Sequence, residues 1–106
     1  MAKFLLMSTY TGGGLKGLST DGGRVRVEVV RSLVENAGGR LEALYFSFGQ
    51  YDTYVLCDLP DHVTAAALTI AVRTGGLVNG HLIPLLTPEQ VDDAVQLPVA
   101  YQQPGH

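Results

Sequence analysis

The side chains that could do chemistry in this 106-residue chain are few and scattered. Asp52 and His81 are the candidate general bases. Tyr10, Tyr45 and Tyr54 are the candidate hydrogen-bond donors that would orient a substrate beside an apolar wall. Lys16, set in a glycine-rich segment, is the candidate contact for an anionic ligand. Together they describe a cofactor-independent reaction on a small, partly apolar molecule, with the glycine-rich segment as a lid. The same residues also have a structural reading. An aspartate beside a tight turn fixes the turn, tyrosines populate interfaces, and a histidine after Gly80 marks a bulge. No Gly-x-Ser-x-Gly elbow or other nucleophile motif decides the matter.

Two further patterns carry little. His62, His81 and His106 with Cys57 lack the spacing of metal ligands, so neither metal nor cofactor is expected. Gly12-x-Gly14-x-x-Gly17 matches the dinucleotide fingerprint in form. That motif needs a helix starting at the glycines and a parallel βαβ unit, and Gly22-Gly23 interrupts such a helix. The expectation for residues 12–23 is a loop with at most one helical turn near Leu15 to Leu18.

Composition excludes whole classes. A formal charge of −3 and no basic stripe argue against nucleic acid. Arg24, Arg26 and Arg31 are interleaved with Glu28 and Glu35, as on a solvated helix face. No apolar run approaches the roughly 20 residues that cross a bilayer. The N-terminal residues do not read as a signal peptide. The single cysteine, Cys57, sits in an apolar run and reads as buried and inert, which suits a reducing compartment. The expected location is the cytoplasm. With 46% hydrophobic and 16% charged residues, the chain is apolar for its size and has surface to spare for a partner.

The elements that must position these side chains follow from periodicity. Residues 3–10 read as a buried strand. Arg24 to Ala37 reads as a helix with Val29, Val30, Leu33, Val34 and Ala37 inward, capped by Asp21 and stopped at Gly38-Gly39. Arg40 to Phe48 and Asp52 to Asp58 are strands joined by a two-residue type II′ turn at Gly49-Gln50. Asp61 caps a second helix with Val63, Ala66, Ala67, Ile70 and Ala71 inward, ending at Gly75-Gly76. Leu77 to Leu86 is the last strand, and Pro84 within it requires a sheet edge. Thr87-Pro88-Glu89-Gln90 is a capping box opening a short helix. Residues 1–95 thus form the domain, and 96–106 a loose tail.

A βαββαβ order is the α+β, ferredoxin-like split βαβ pattern, with an antiparallel sheet ordered 4-1-3-2 and two helices on one face. The hairpin register would put Leu44, Phe46, Phe48, Tyr51, Thr53, Val55 and Cys57 under the helices. Ala43, Tyr45, Ser47, Asp52, Tyr54 and Leu56 would lie on the open face, with His81 joining from across the sheet. That open face is half apolar, and pairing with a second copy would make its polar groups interior.

Phe48-Gly49-Gln50-Tyr51-Asp52 resembles the motif of the GYD domain family, with its glycine, tyrosine and aspartate at 49, 51 and 52. The likeness continues through Asp58-Leu59-Pro60-Asp61, Thr64 to Val72, and Pro84 to Glu89. The family is similar to dimeric α/β-barrel proteins, in which two ferredoxin-like sheets pack face to face. The resemblance therefore implies a homodimer through the sheet face and, at most, a small-molecule ligand. It implies no particular activity. The expected function is a non-catalytic binding or assembly module, with the cofactor-independent enzyme as the alternative.

Overall fold

The computed structural model describes residues 1–105. The chain runs β1 (Ala2–Tyr10), α1 (Gly12–Asp21), α2 (Gly23–Asn36), β2 (Arg40–Phe46), β3 (Thr53–Leu59), α3 (His62–Thr74), β4 (Val78–Leu85) and α4 (Pro88–Gln96). The four strands form one antiparallel sheet in the order β2-β3-β1-β4. Read from the other edge this is 4-1-3-2, with the Pro84 strand outermost. The fold is the α+β, ferredoxin-like arrangement with a short C-terminal helix.

The core lies on one side of the sheet. Phe4 and Leu6 of β1, Val55, Cys57 and Leu59 of β3, and Leu41 of β2 pack against Val34 of α2 and Ala65 and Leu68 of α3. Strand alternation is strict on β3, where Thr53, Val55, Cys57 and Leu59 are buried and the residues between them are not.

The glycine-rich segment is a helix, not a loop. Thr11 caps it, its hydroxyl accepting from Gly14 N at 3.3 Å and donating to Leu77 O at 3.1 Å. Thr11 N also donates to Leu77 O, at 3.0 Å. A Cβ at Gly14 would collide with Leu77 O. Glycine here permits α1 to lie on the start of β4, and that packing outweighs glycine's poor helix propensity. Asp21 closes α1 instead of capping α2, and Gly22, at φ 82°, makes the corner between the two helices.

Three expectations about faces and turns change. On α2, Val29 is about half exposed, while Val27 joins Val30, Leu33 and Ala37 against the core. On α3 the inward residues are Ala65 and Leu68, supported by Val72; the expected set lies on the other side, with Val63 and Ile70 well exposed. The helix is apolar nearly all round, so its stripe could be drawn on either side. Thr69 disguises the inner one by donating its hydroxyl to Ala65 O at 2.9 Å. The β2–β3 connection is a six-residue loop from 47 to 52. Its positive-φ residue is Phe48, at 60°, where a type II′ turn would need Gly49. The register is nonetheless as expected at Tyr45–Tyr54 and Ala43–Leu56, and slips by one between Leu41 and Ala43.

Cys57 is fully buried. Loss of hydration, with Asp58 adding to it, pushes its thiol up to about 11. Only about one molecule in a thousand then carries a thiolate at pH 8. Alkylation by iodoacetamide at that pH should proceed at the rate of global opening, and at the rate of a free thiol once urea unfolds the chain. Rapid modification of the native protein would show that the strand is open.

Candidate functional site

The two faces of the sheet carry different chemistry. On the open face, register places side chains in rows across the four strands. One row is Ala43, Leu56, Leu5 and Ile83; the next is Tyr45, Tyr54, Met7 and His81. At the opposite end are Arg40, Asp58, Lys3 and Leu85. There Lys3 Nζ reaches Glu42 Oε2 at 2.8 Å and Asp58 Oδ1 at 3.0 Å, and Arg40 stands 3.5 Å from Asp58. The hydrogen bond to Glu42, and then that to Asp58, hold the Lys3 ammonium above its ordinary pKa.

Tyr51 belongs to this face, contrary to the hairpin reading that put it under the helices. Its ring meets Tyr54 edge-on at 6.1 Å and His81 at 5.4 Å. The longer loop turns it over, because residues 47–52 do not continue the strand alternation. Tyr45 is 70% exposed and His81 is exposed. The structure thus gathers Tyr45, Tyr51, Tyr54 and His81.

Asp52 is directed elsewhere. Its carboxylate accepts the Tyr10 N–H at 2.7 Å, its own N–H donates to Ser8 O at 2.7 Å, and its carbonyl accepts Ser47 N at 2.9 Å. The aspartate therefore ties the end of β1 to the hairpin loop. Gly49 has ordinary φ and is not crowded: a Cβ there would have Ser47 Oγ as its nearest neighbour, at 3.6 Å.

On the helix side, Tyr10 lines a cavity of about 160 Å3 with Gly14, Gly17, Leu18, Asp21, Arg26, Leu77 and Val78. Neither Asp52 nor His81 borders it. Arg26 is the residue that sequence reasoning passed over, having counted it among solvated helix charges. Its Cζ lies 5.9 Å from the Tyr10 ring centroid, and its Nε is buried with no acceptor among the described residues. The signal was the Arg-Val-Arg-Val alternation, which on a helix turns Arg24 and Arg26 to different sides. Lys16 is exposed on α1 and is not among the residues lining this cavity. Helix α1 does start at the Gly12-x-Gly14-x-x-Gly17 glycines, but every strand pairing is antiparallel, so the parallel unit of a dinucleotide site is missing.

The ferredoxin-like fold with this hairpin defines a class, and comparison of sequences names it. The model of the GYD domain family matches residues 4–95, and the chain belongs to that family. No curated protein and no solved structure matches it. Among the described residues, no helix is long and apolar enough to cross a membrane.

Replacing Asp52 with alanine should cost on the order of 1–3 kcal/mol in urea unfolding, because it leaves the Tyr10 N–H without its charged acceptor. Asp52→Asn keeps an acceptor oxygen and should cost less. Amide exchange at Tyr10 should quicken in the alanine variant; an unchanged rate would disprove the tie.

Proposed function

We propose that this GYD domain works as a homodimer closed through the open face of its sheet, as a cytoplasmic binding and assembly module without catalysis of its own. The observation that carries the reading is the run Phe4-Leu5-Leu6-Met7. A strand exposed on one face alternates apolar with polar, whereas a strand buried on both faces is apolar throughout. Phe4 and Leu6 are covered by the chain's own helices. Leu5 and Met7 stand in rows with Leu56, Ile83, Tyr45 and Tyr54, none of which belongs to the core that α2 and α3 cover. A two-fold axis sets such a face against its own copy. The mixed charges of Lys3, Glu42, Asp58 and Arg40 suit a self-complementary rim, since both signs are present at one end.

The C-terminal segment supports the same reading. Every residue from Pro88 to Gly105 is exposed, including Val91, Val95, Leu97, Val99 and Tyr101. Nine-residue helices are not stable alone in water, so α4 needs packing that a partner can supply. The radius of gyration, 16.9 Å, exceeds the roughly 13 Å of a compact chain of this length. Against the catalytic alternative stands the engagement of Asp52 by main-chain groups. His81 and the tyrosines beside it serve better as interface residues, whose polar tips find partners across the dimer.

Sedimentation velocity tests this. The wild-type chain should run as a dimer at micromolar concentration, and Leu56→Glu or Leu5→Glu should give a folded monomer with unchanged circular dichroism. A monomeric wild type, or a dimer indifferent to both substitutions, would sink the reading.

A further inference from the structure

The cavity beside Tyr10 lies across the sheet from the proposed interface and is built within one protomer, so it stands apart from dimerisation. We propose that it is a binding site for a small organic carboxylate with a compact, ring-sized apolar body, the carboxylate being received by Arg26.

Arg26 borders the cavity and has no ion-pair partner among the described residues; its Nε, sealed from solvent, also has no acceptor among them. A carboxylate in the cavity would be received by the outer Nη–H groups of the guanidinium, and a small turn of the side chain would add the Nε–H to complete the paired geometry for which guanidinium is suited. Stacking over Tyr10, with Cζ 5.9 Å from the ring centroid, holds the guanidinium in place beforehand. Leu18, Leu77, Val78 and the Tyr10 ring supply the apolar part of the wall. Its volume, about 160 Å3, matches that of an apolar cavity that holds benzene, about 150 Å3. Asp21 also lines the cavity, and no ion pair joins it to Arg26 among the described residues. Its carboxylate opposes a second negative charge, which favours a monocarboxylate over a phosphate ester.

Gly17 is the second observation. Glycine inside a helix sacrifices stability, and at Gly14 the approach of Leu77 O explains it. At Gly17 nothing lies within 4 Å of where a Cβ would stand, so packing does not require the glycine. Gly17 lines the cavity, so a large side chain placed there would compete for its space.

Titration of the full chain with benzoate, followed by amide NMR, tests the proposal. Saturable shifts are expected at Tyr10, Leu18 and Leu77, with benzamide at least about tenfold weaker and benzylamine inert. Arg26→Gln should weaken benzoate by about tenfold or more. Asp21→Asn should strengthen it, which loss of a purely structural group would not do. Gly17→Leu has room for its Cβ and should abolish binding without lowering the unfolding temperature, which keeps the test decisive if Arg26→Gln folds poorly. Absence of saturable shifts with benzoate, equal affinity for benzamide, or full binding in Gly17→Leu would overturn it.

Discussion

The structure depends on β1 being apolar along both of its faces and lying between β3 and β4. Antiparallel pairing on each side satisfies its backbone and hands Phe4 and Leu6 to the helices. The same pairing leaves Leu5 and Met7 pointing away. A central strand of this composition makes a two-layer domain an incomplete solution, because only one of its faces meets a layer. The other elements follow. Helices α2 and α3 close the first face, β4 takes the edge where Pro84 can be tolerated, and the second face, with Leu5 and Met7, is the one on which the proposed dimer closes.

The loop bearing the family's glycine, tyrosine and aspartate serves this strand. Asp52 binds the main chain of β1 at Tyr10 and Ser8, which fixes where β1 ends relative to the hairpin. Tyr51 turns onto the open face and meets His81 and Tyr54. Phe48 accepts a left-handed backbone and stacks on Phe46 at 5.9 Å. The residues read in the sequence as a candidate catalytic cluster therefore divide between a main-chain tie and an aromatic patch. The cavity that could hold a ligand is built elsewhere, from α1, α2 and the far end of β1.

Much of this was legible in the residues alone, for physical reasons that differ by element. The strand order followed from right-handed crossovers and from Pro84. The hairpin register followed from side-chain alternation, which survives a change of loop because both strands still point Val55 and Leu44 toward the helices. Helix α1 was not legible. Its four glycines argue against a helix until Leu77 O is seen in the space that a Gly14 side chain would need. The inward side of α3 was lost because alanine, valine and isoleucine surround the helix, and Thr69 hides its polarity by bonding backward. Arg26 was hidden by a correct generalisation about charged helix faces, which fails where α1 folds over to form one wall of a cavity.

On the proposed reading the sheet separates a face for self-association from a cavity for a small ligand, with β1 contributing to both. The account is tested most directly by isotope-filtered NOE spectroscopy on a mixture of labelled and unlabelled protein. It predicts contacts between protomers from the methyls of Leu5, Leu56 and Ile83 and the rings of Tyr45 and Tyr54. Those methyls showing no such contact, while a dissolved paramagnetic agent relaxes them as freely as the exposed Val63, would contradict it.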